Sequence, residues 1–307
     1  MRMDTVRMAF TRTLLELARE DQSIFGVATD SRGSVTLTEF ADALPEQFVE
    51  CGIAEQDAIG ISAGLANGGL RPFVCGPACF YTLRSAEQVK VDVGYSHMNV
   101  KIIGVSGGVS YGALGSTHHA TQDIALLRAT PGLEIYLPAD GPQMEVLTHY
   151  LAKSNEPAYV RMGRGAVPVV YETEVPFTPG KANLLRLGTQ AAIIACGEMV
   201  YPSLKAAELL AKEGIDVSVY DMHTLRPLDE EAIVAAAETG FVVTVEEHDI
   251  HGGLGGAVAE VLSQKKPTRM RIMGLPDEKL YTGTSAEVFE HYGLTSQGIA
   301  QAVRLGR

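Results

Sequence analysis

Residues 50–105 read ECGIAEQDAIGISAGLANGGLRPFVCGPACFYTLRSAEQVKVDVGYSHMNVKIIGV, and their alternation decides the fold. Residue spacing predicts a helix over 54–67, a strand over 71–75, a second helix over 84–95 and a second strand over 100–105. Short β-branched runs alternating with helical stretches require crossover connections. They therefore imply α/β layers built on a mostly parallel sheet.

The same alternation extends in both directions. Upstream, Asp4 is placed to cap a helix whose apolar positions Val6, Phe10, Leu14, Leu15 and Leu17 fall near one face, and 24–28 reads as a strand. Downstream, a glycine-rich stretch from Ser106 to Ser116 precedes helix 122–129, strand 133–137, helix 140–153 and strand 157–162, which completes one sheet. Periodicity then lapses from Val167 to Gly188, where Pro168, Pro176, Pro179 and Gly180 punctuate the chain. A second α/β set comes next, with strands at 191–195, 215–220, 241–246 and 269–273 and helices at 200–213, 229–238 and 255–264. Two α/β domains are expected, 1–170 and 186–307, joined by a linker over 171–185.

Composition bounds the function. At 307 residues the chain has room for about two domains of 100 to 200 residues each. No apolar run approaches the roughly 18 residues that would span a bilayer. Lys plus Arg number 25 against 37 for Asp plus Glu, a net charge of −12, so the electrostatic footprint of nucleic-acid binding is absent. An anionic substrate must then be caught by a few local cations, which gives individual arginines weight. Cys51, Cys75, Cys79 and Cys196 form no C-x-x-C pair and no zinc-finger spacing, and read as small buried thiols. The N-terminus mixes charge through its apolar positions and does not read as a signal peptide; a cytoplasmic location is expected.

Glu55 opens the predicted helix directly after a strand, where the helix dipole favours a carboxylate and strand ends face a ligand crevice. Spacing alone makes it no more than a first-turn helix acid. The motifs around it add more. GIAEQ, the following AGLA and RPF segments and the aromatic Phe80 resemble the pyrimidine-binding domain of transketolase and of deoxyxylulose phosphate synthase. GSTHHATQDIALLRATPGLEIYLPADGPQ and PAYVRMGRG look like later parts of that domain in the same order. HTLRPLDEEA and VEEHDIHGGLGGAVAE resemble the transketolase C-terminal domain, so the likeness runs over essentially the whole chain.

The resemblance implies thiamine diphosphate chemistry. Glu55, matching the family's glutamate, would hydrogen-bond N1′ of the aminopyrimidine and favour the imino tautomer whose N4′ takes the thiazolium C2 proton. A largely apolar pocket would raise its pKa and let it hold the shared proton. Phe80 matches the aromatic that packs on the pyrimidine, with Tyr81 the candidate one register on, and Asp30 matches an acidic residue near the cofactor. His118 matches a histidine donor near the ketol oxygen, whereas His119 stands where the family commonly has Gln. Arg7 and Arg164 fall where substrate-phosphate arginines fall, since planar guanidinium forks suit an oxyanion. Arg32 and Arg161 match less well.

Three departures from the family pattern matter. Leu114 stands where many transketolases have a substrate-contacting Asp, and Ser106 where His is common; sites built on hydrogen bonds discriminate strongly, so substrate scope should be unusual. No GDG segment occurs anywhere, so the resemblance places the Mg²⁺ and diphosphate site on a partner chain. Glycines 252, 253, 255 and 256 beside His251 read as a glycine-rich start to a helix and not as a second phosphate loop. The expectation is the C-terminal subunit of a split transketolase, transferring a two-carbon ketol unit between sugar phosphates. It would work with an N-terminal subunit and self-associate in an α2β2 assembly. The beta subunit of a 2-oxo acid dehydrogenase and a non-catalytic paralogue are the alternatives.

Overall fold

A computed structural model describes residues 2–306. Its larger sheet has strands in the order Thr224–Arg226, Glu134–Tyr136, Ala158–Met162, Lys101–Val105, Arg71–Pro77, Ile24–Ala28 and Phe48–Glu50. All are parallel except Thr224–Arg226, which pairs antiparallel with Glu134–Tyr136. Lys101–Val105 and Ala158–Met162 are buried at every residue, as central strands of a parallel sheet covered on both faces must be.

Helix Val6–Glu20 buries Val6, Phe10, Leu14 and Leu15 and packs on helix Gly141–Lys153. The cap expected of Asp4 is not found: Asp4 lies in the short strand Met3–Thr5, which pairs antiparallel with Ala166–Pro168. Its Oδ1 accepts from the Thr5 N–H, leaving Thr5 as the residue before the helix.

The second sheet runs Arg269–Leu275, Phe241–Asp249, Ala191–Ala195, Val217–Asp221 and Asn183–Arg186, with only Asn183–Arg186 antiparallel. Strand alternation splits its faces. Ala191, Ile193 and Ala195 pack in a cluster with residues of helices Val200–Ala211 and Ser296–Gly306. Ala192 and Ile194 pack in another cluster with residues of helices Glu230–Ala237 and Leu254–Lys265. That second cluster continues through Leu137 and Ile135 to Val27 and Val74 of the first sheet, so both sheets share one apolar core.

The stretch read as a linker is more structured than its composition suggests. Asn183–Arg186 is an edge strand, and Tyr171 is tied down: its N–H donates to Asp140 Oδ2 at 2.8 Å and its hydroxyl to Asp221 Oδ2 at 2.6 Å. The helix expected over 84–95 starts earlier and is irregular, with wide π-helical turns at Phe80–Arg84 and Val89–Tyr95 flanking Ala86–Gln88. Helices Thr38–Ala43, Ser285–Tyr292 and Ser296–Gly306 appear in segments with no predicted element, and Phe48–Glu50 is the strand expected ahead of Glu55, for which the sequence supplied no bounds. All four cysteines are free thiols, three of them buried.

Candidate active site

The parallel strands Ile24–Ala28, Arg71–Pro77 and Lys101–Val105 end on one side of the sheet, and the segments beyond their ends assemble the site. Glu55 is the first residue of helix Glu55–Asn67 and only 3% exposed. Its Oε2 accepts a 2.6 Å hydrogen bond from Arg84 Nη1, so the pocket read as largely apolar contains a cation. The Arg84 guanidinium lies 4.4 Å from the centroid of the Phe80 ring. Phe80 and Arg84 bound one π-helical turn, and their four-residue separation puts them on nearly the same side. Tyr81 points the other way: it is fully buried, its hydroxyl 3.2 Å from Thr29 Oγ1, and close enough to Glu55 for that charge to bear on it.

The loop after Lys101–Val105 supplies the next side chains. The His118 ring meets Phe80 edge-on at 5.4 Å between centroids and Tyr111 edge-on at 5.3 Å, and its Nδ1 is 2.9 Å from Thr117 Oγ1. Tyr111 in turn carries the Arg164 guanidinium, 5.1 Å from its ring centroid. Arg7 is the neighbour beyond. Burial, and then the Arg164 charge, push the Arg7 pKa below its ordinary value. Arg7 Nη1 donates to Ser34 O at 2.6 Å and its buried Nε has no partner. Among the described residues neither arginine is ion-paired to a carboxylate. Two cations placed together without an acid make a seat for an anion.

The remaining candidates fall around this row. Asp30 is exposed just beyond strand Ile24–Ala28 with a left-handed backbone, its N–H donating to Glu50 Oε1 at 2.7 Å. Arg32 is exposed on the following turn. Arg161 is not free for substrate: it is buried, pairs with Asp123 at 2.9 Å and donates to the Glu247 carbonyl at 2.5 Å. His119 is buried with Nε2 3.1 Å from Gly112 O, which ties the loop to itself. Ser106 is buried in a left-handed conformation with an unpartnered hydroxyl, and Leu114 is 54% exposed. Behind His251, the amides of Leu254 and Gly255 at the start of helix Leu254–Lys265 donate to Glu246 at 2.6 and 2.7 Å, so a carboxylate already fills that helix terminus.

The loop bearing Tyr111 and His118 is held from below by the second domain. Val109 N–H donates to Glu247 Oε1 at 2.7 Å and Ser285 Oγ donates to Val109 O at 3.1 Å. Gly108 and Gly112 have positive φ, and a Cβ on either would overlap Glu247 or the Gly283 backbone. Sequence reasoning missed Arg84 and Tyr111. Arg84 had a signal, a cation one wide turn after the candidate aromatic; Tyr111 had none, because its role depends on how a glycine-rich loop folds back.

The class emerges from comparison with known proteins. The transketolase pyrimidine-binding domain profile matches residues 3–170 and the transketolase C-terminal domain profile residues 180–299. The chain belongs to the transketolase family, whose members depend on thiamine diphosphate. It is similar to a subunit of the apulose-4-phosphate transketolase of Phocaeicola vulgatus, 57% identical over 301 residues, which span 97% of this chain and 96% of that one. A solved structure described as a split gene transketolase, inactive beta4 tetramer, superposes with a TM-score of 0.89 at 36% identity, covering 99% of this chain and 98% of that one. Against 1-deoxy-D-xylulose-5-phosphate synthase of Heliobacterium modesticaldum the identity is 38% over 98% of this chain but 47% of the longer protein. Its two domains are the pyrimidine-binding and C-terminal domains of a transketolase-type transferase, in that order.

Proposed function

We propose that this chain and a larger N-terminal partner subunit transfer a two-carbon ketol unit between sugar phosphates, with apulose 4-phosphate, for which the 57%-identical relative is named, among the substrates. The observation that carries this reading is the unpaired Arg7 and Arg164, lying at the far end of a row of side chains that starts at Glu55. A ketol donor or acceptor with a distal phosphate spans such a row from reacting carbon to anion. A decarboxylated 2-oxo acid has no distal phosphate, so the dehydrogenase alternative leaves both arginines without a task.

Bound thiamine diphosphate supplies the carbanion-stabilising chemistry. Glu55 accepts the hydrogen bond of the pyrimidine nitrogen and keeps a proton shared there, while Phe80 offers a flat face against the ring. The buried acid and the half-buried aromatic within one stretch of chain fit that group. Tyr81 backs Glu55 from the core side, and Asp30 stands at the rim of the same crevice. His118 donates to the ketol oxygen as its charge develops. Arg7 and Arg164 clamp the distal phosphate, and Leu114 presents an apolar face where a hydroxyl partner would otherwise stand.

The diphosphate and Mg²⁺ belong, on this reading, to the partner. The 57%-identical relative, matched over 96% of its length, is named as a subunit, which supports a second polypeptide carrying them. Ile53, Leu83, Val91 and Tyr95 are exposed apolar side chains in the segments that carry Glu55 and Arg84, a face suited to that partner and to self-association in an α2β2 assembly. Domains over 1–170 and 186–307 with 171–185 between them are the organisation we adopt. The test is steady-state kinetics of the reconstituted two-chain enzyme with apulose 4-phosphate and with an ordinary pentose phosphate pair. A large kcat/KM advantage for the ordinary pair refutes the substrate assignment.

A further inference from the structure

We propose that Arg84 is the positioning residue of Glu55, holding its carboxyl group aimed at the pyrimidine nitrogen of the cofactor. The inference rests on reading Glu55 as the pyrimidine partner and adds what keeps that acid ready. A carboxylate that is only 3% exposed is costly unless a charge faces it, and Arg84 Nη1 at 2.6 Å is that charge. The guanidinium, 44% exposed, lies 4.4 Å from the Phe80 ring centroid, so one side chain bridges the acid and the stacking aromatic. Phe80 and Arg84 stand four residues apart in one helical stretch, the separation that puts two side chains on one side.

A guanidinium has only donors and keeps them at neutral pH. Arg84 therefore engages Oε2 of Glu55 as a fixed donor and would leave Oε1 for the pyrimidine nitrogen.

Isothermal titration of thiamine diphosphate with Mg²⁺ into the two-chain assembly reads Kd. Arg84→Met should weaken binding about tenfold or more, while Arg84→Lys should restore part of the affinity. Glu55→Gln/Arg84→Met should bind no more weakly than Glu55→Gln alone. Wild-type Kd or tighter binding in Arg84→Met overturns the proposal, as does a double variant weaker than Glu55→Gln by the full factor lost in Arg84→Met, which would mark a merely structural role. If Glu55→Gln binds and turns over like wild type, the reading of Glu55 itself fails; if Glu55→Gln is impaired and Arg84→Met is not, Arg84 alone is wrongly assigned.

Discussion

Glu55 and Arg164 sit at opposite ends of one row of side chains, and substitutions at the two ends should be kinetically distinguishable. Glu55→Gln keeps the shape but cannot exchange the shared proton, so turnover should fall by about 10²–10⁴-fold with the fold intact; steady-state assays beside circular dichroism check this. Arg164→Ala removes a clamp remote from the reacting carbon. It should raise KM for the phosphorylated substrate about tenfold or more while leaving thiamine diphosphate affinity unchanged, and unaltered KM would remove Arg164 from the anion seat. Leu114→Asp should move the kcat/KM preference toward ordinary pentose phosphates, because it restores a hydrogen-bond acceptor at an exposed position. Much of this row was legible as motif: Glu55, Phe80, His118, Arg7 and Arg164 are brought together. Arg84, four residues after Phe80, carried a spacing signal that went unused, whereas Tyr111 depends on a loop geometry that residue spacing does not encode.

Elements with strong periodicity were readable to within one or two residues, as with Val200–Ala211 and Leu254–Lys265, because each presents a repeating apolar stripe. The short Thr38–Ala43 and Phe48–Glu50 have too few residues to show a period. Ser285–Tyr292 had local signals that went unused: Thr284 and Glu287 form a capping box, and Gly293 closes the helix in the left-handed conformation. That cap abuts Gly112 of the substrate loop, so the second domain positions the loop through a helix terminus. The loop's own tight point is Gly108, at φ 57° against Glu247. Gly108→Ala should cost about 1–3 kcal/mol from the backbone alone and raise KM by displacing Tyr111 and His118. Thermal unfolding and substrate titration of the variant check both effects.

On the scale of the whole molecule, the two sheets are joined by buried charge as well as by a common apolar core. Half-buried Glu198 and buried Glu247 lie between the domains, and desolvation pushes each carboxyl above the ordinary range, Glu247 further through the Glu198 charge. Above the ordinary value of 4.5 the unfolded chain releases these protons first, so the folded state loses stability as pH rises toward the raised folded-state values. Glu198→Gln should therefore raise the Tm at about pH 8 and leave it nearly unchanged at about pH 4, as scanning calorimetry would show. Strand Thr224–Arg226 binds the halves more tightly still, because it leaves the second domain to close the edge of the first sheet at Glu134–Tyr136. A polypeptide ending near residue 170 would present that edge bare, an invitation to intermolecular β-pairing. The two domains are therefore laced through a shared sheet, and a cut between them would have to unpick backbone hydrogen bonds as well as part an apolar core.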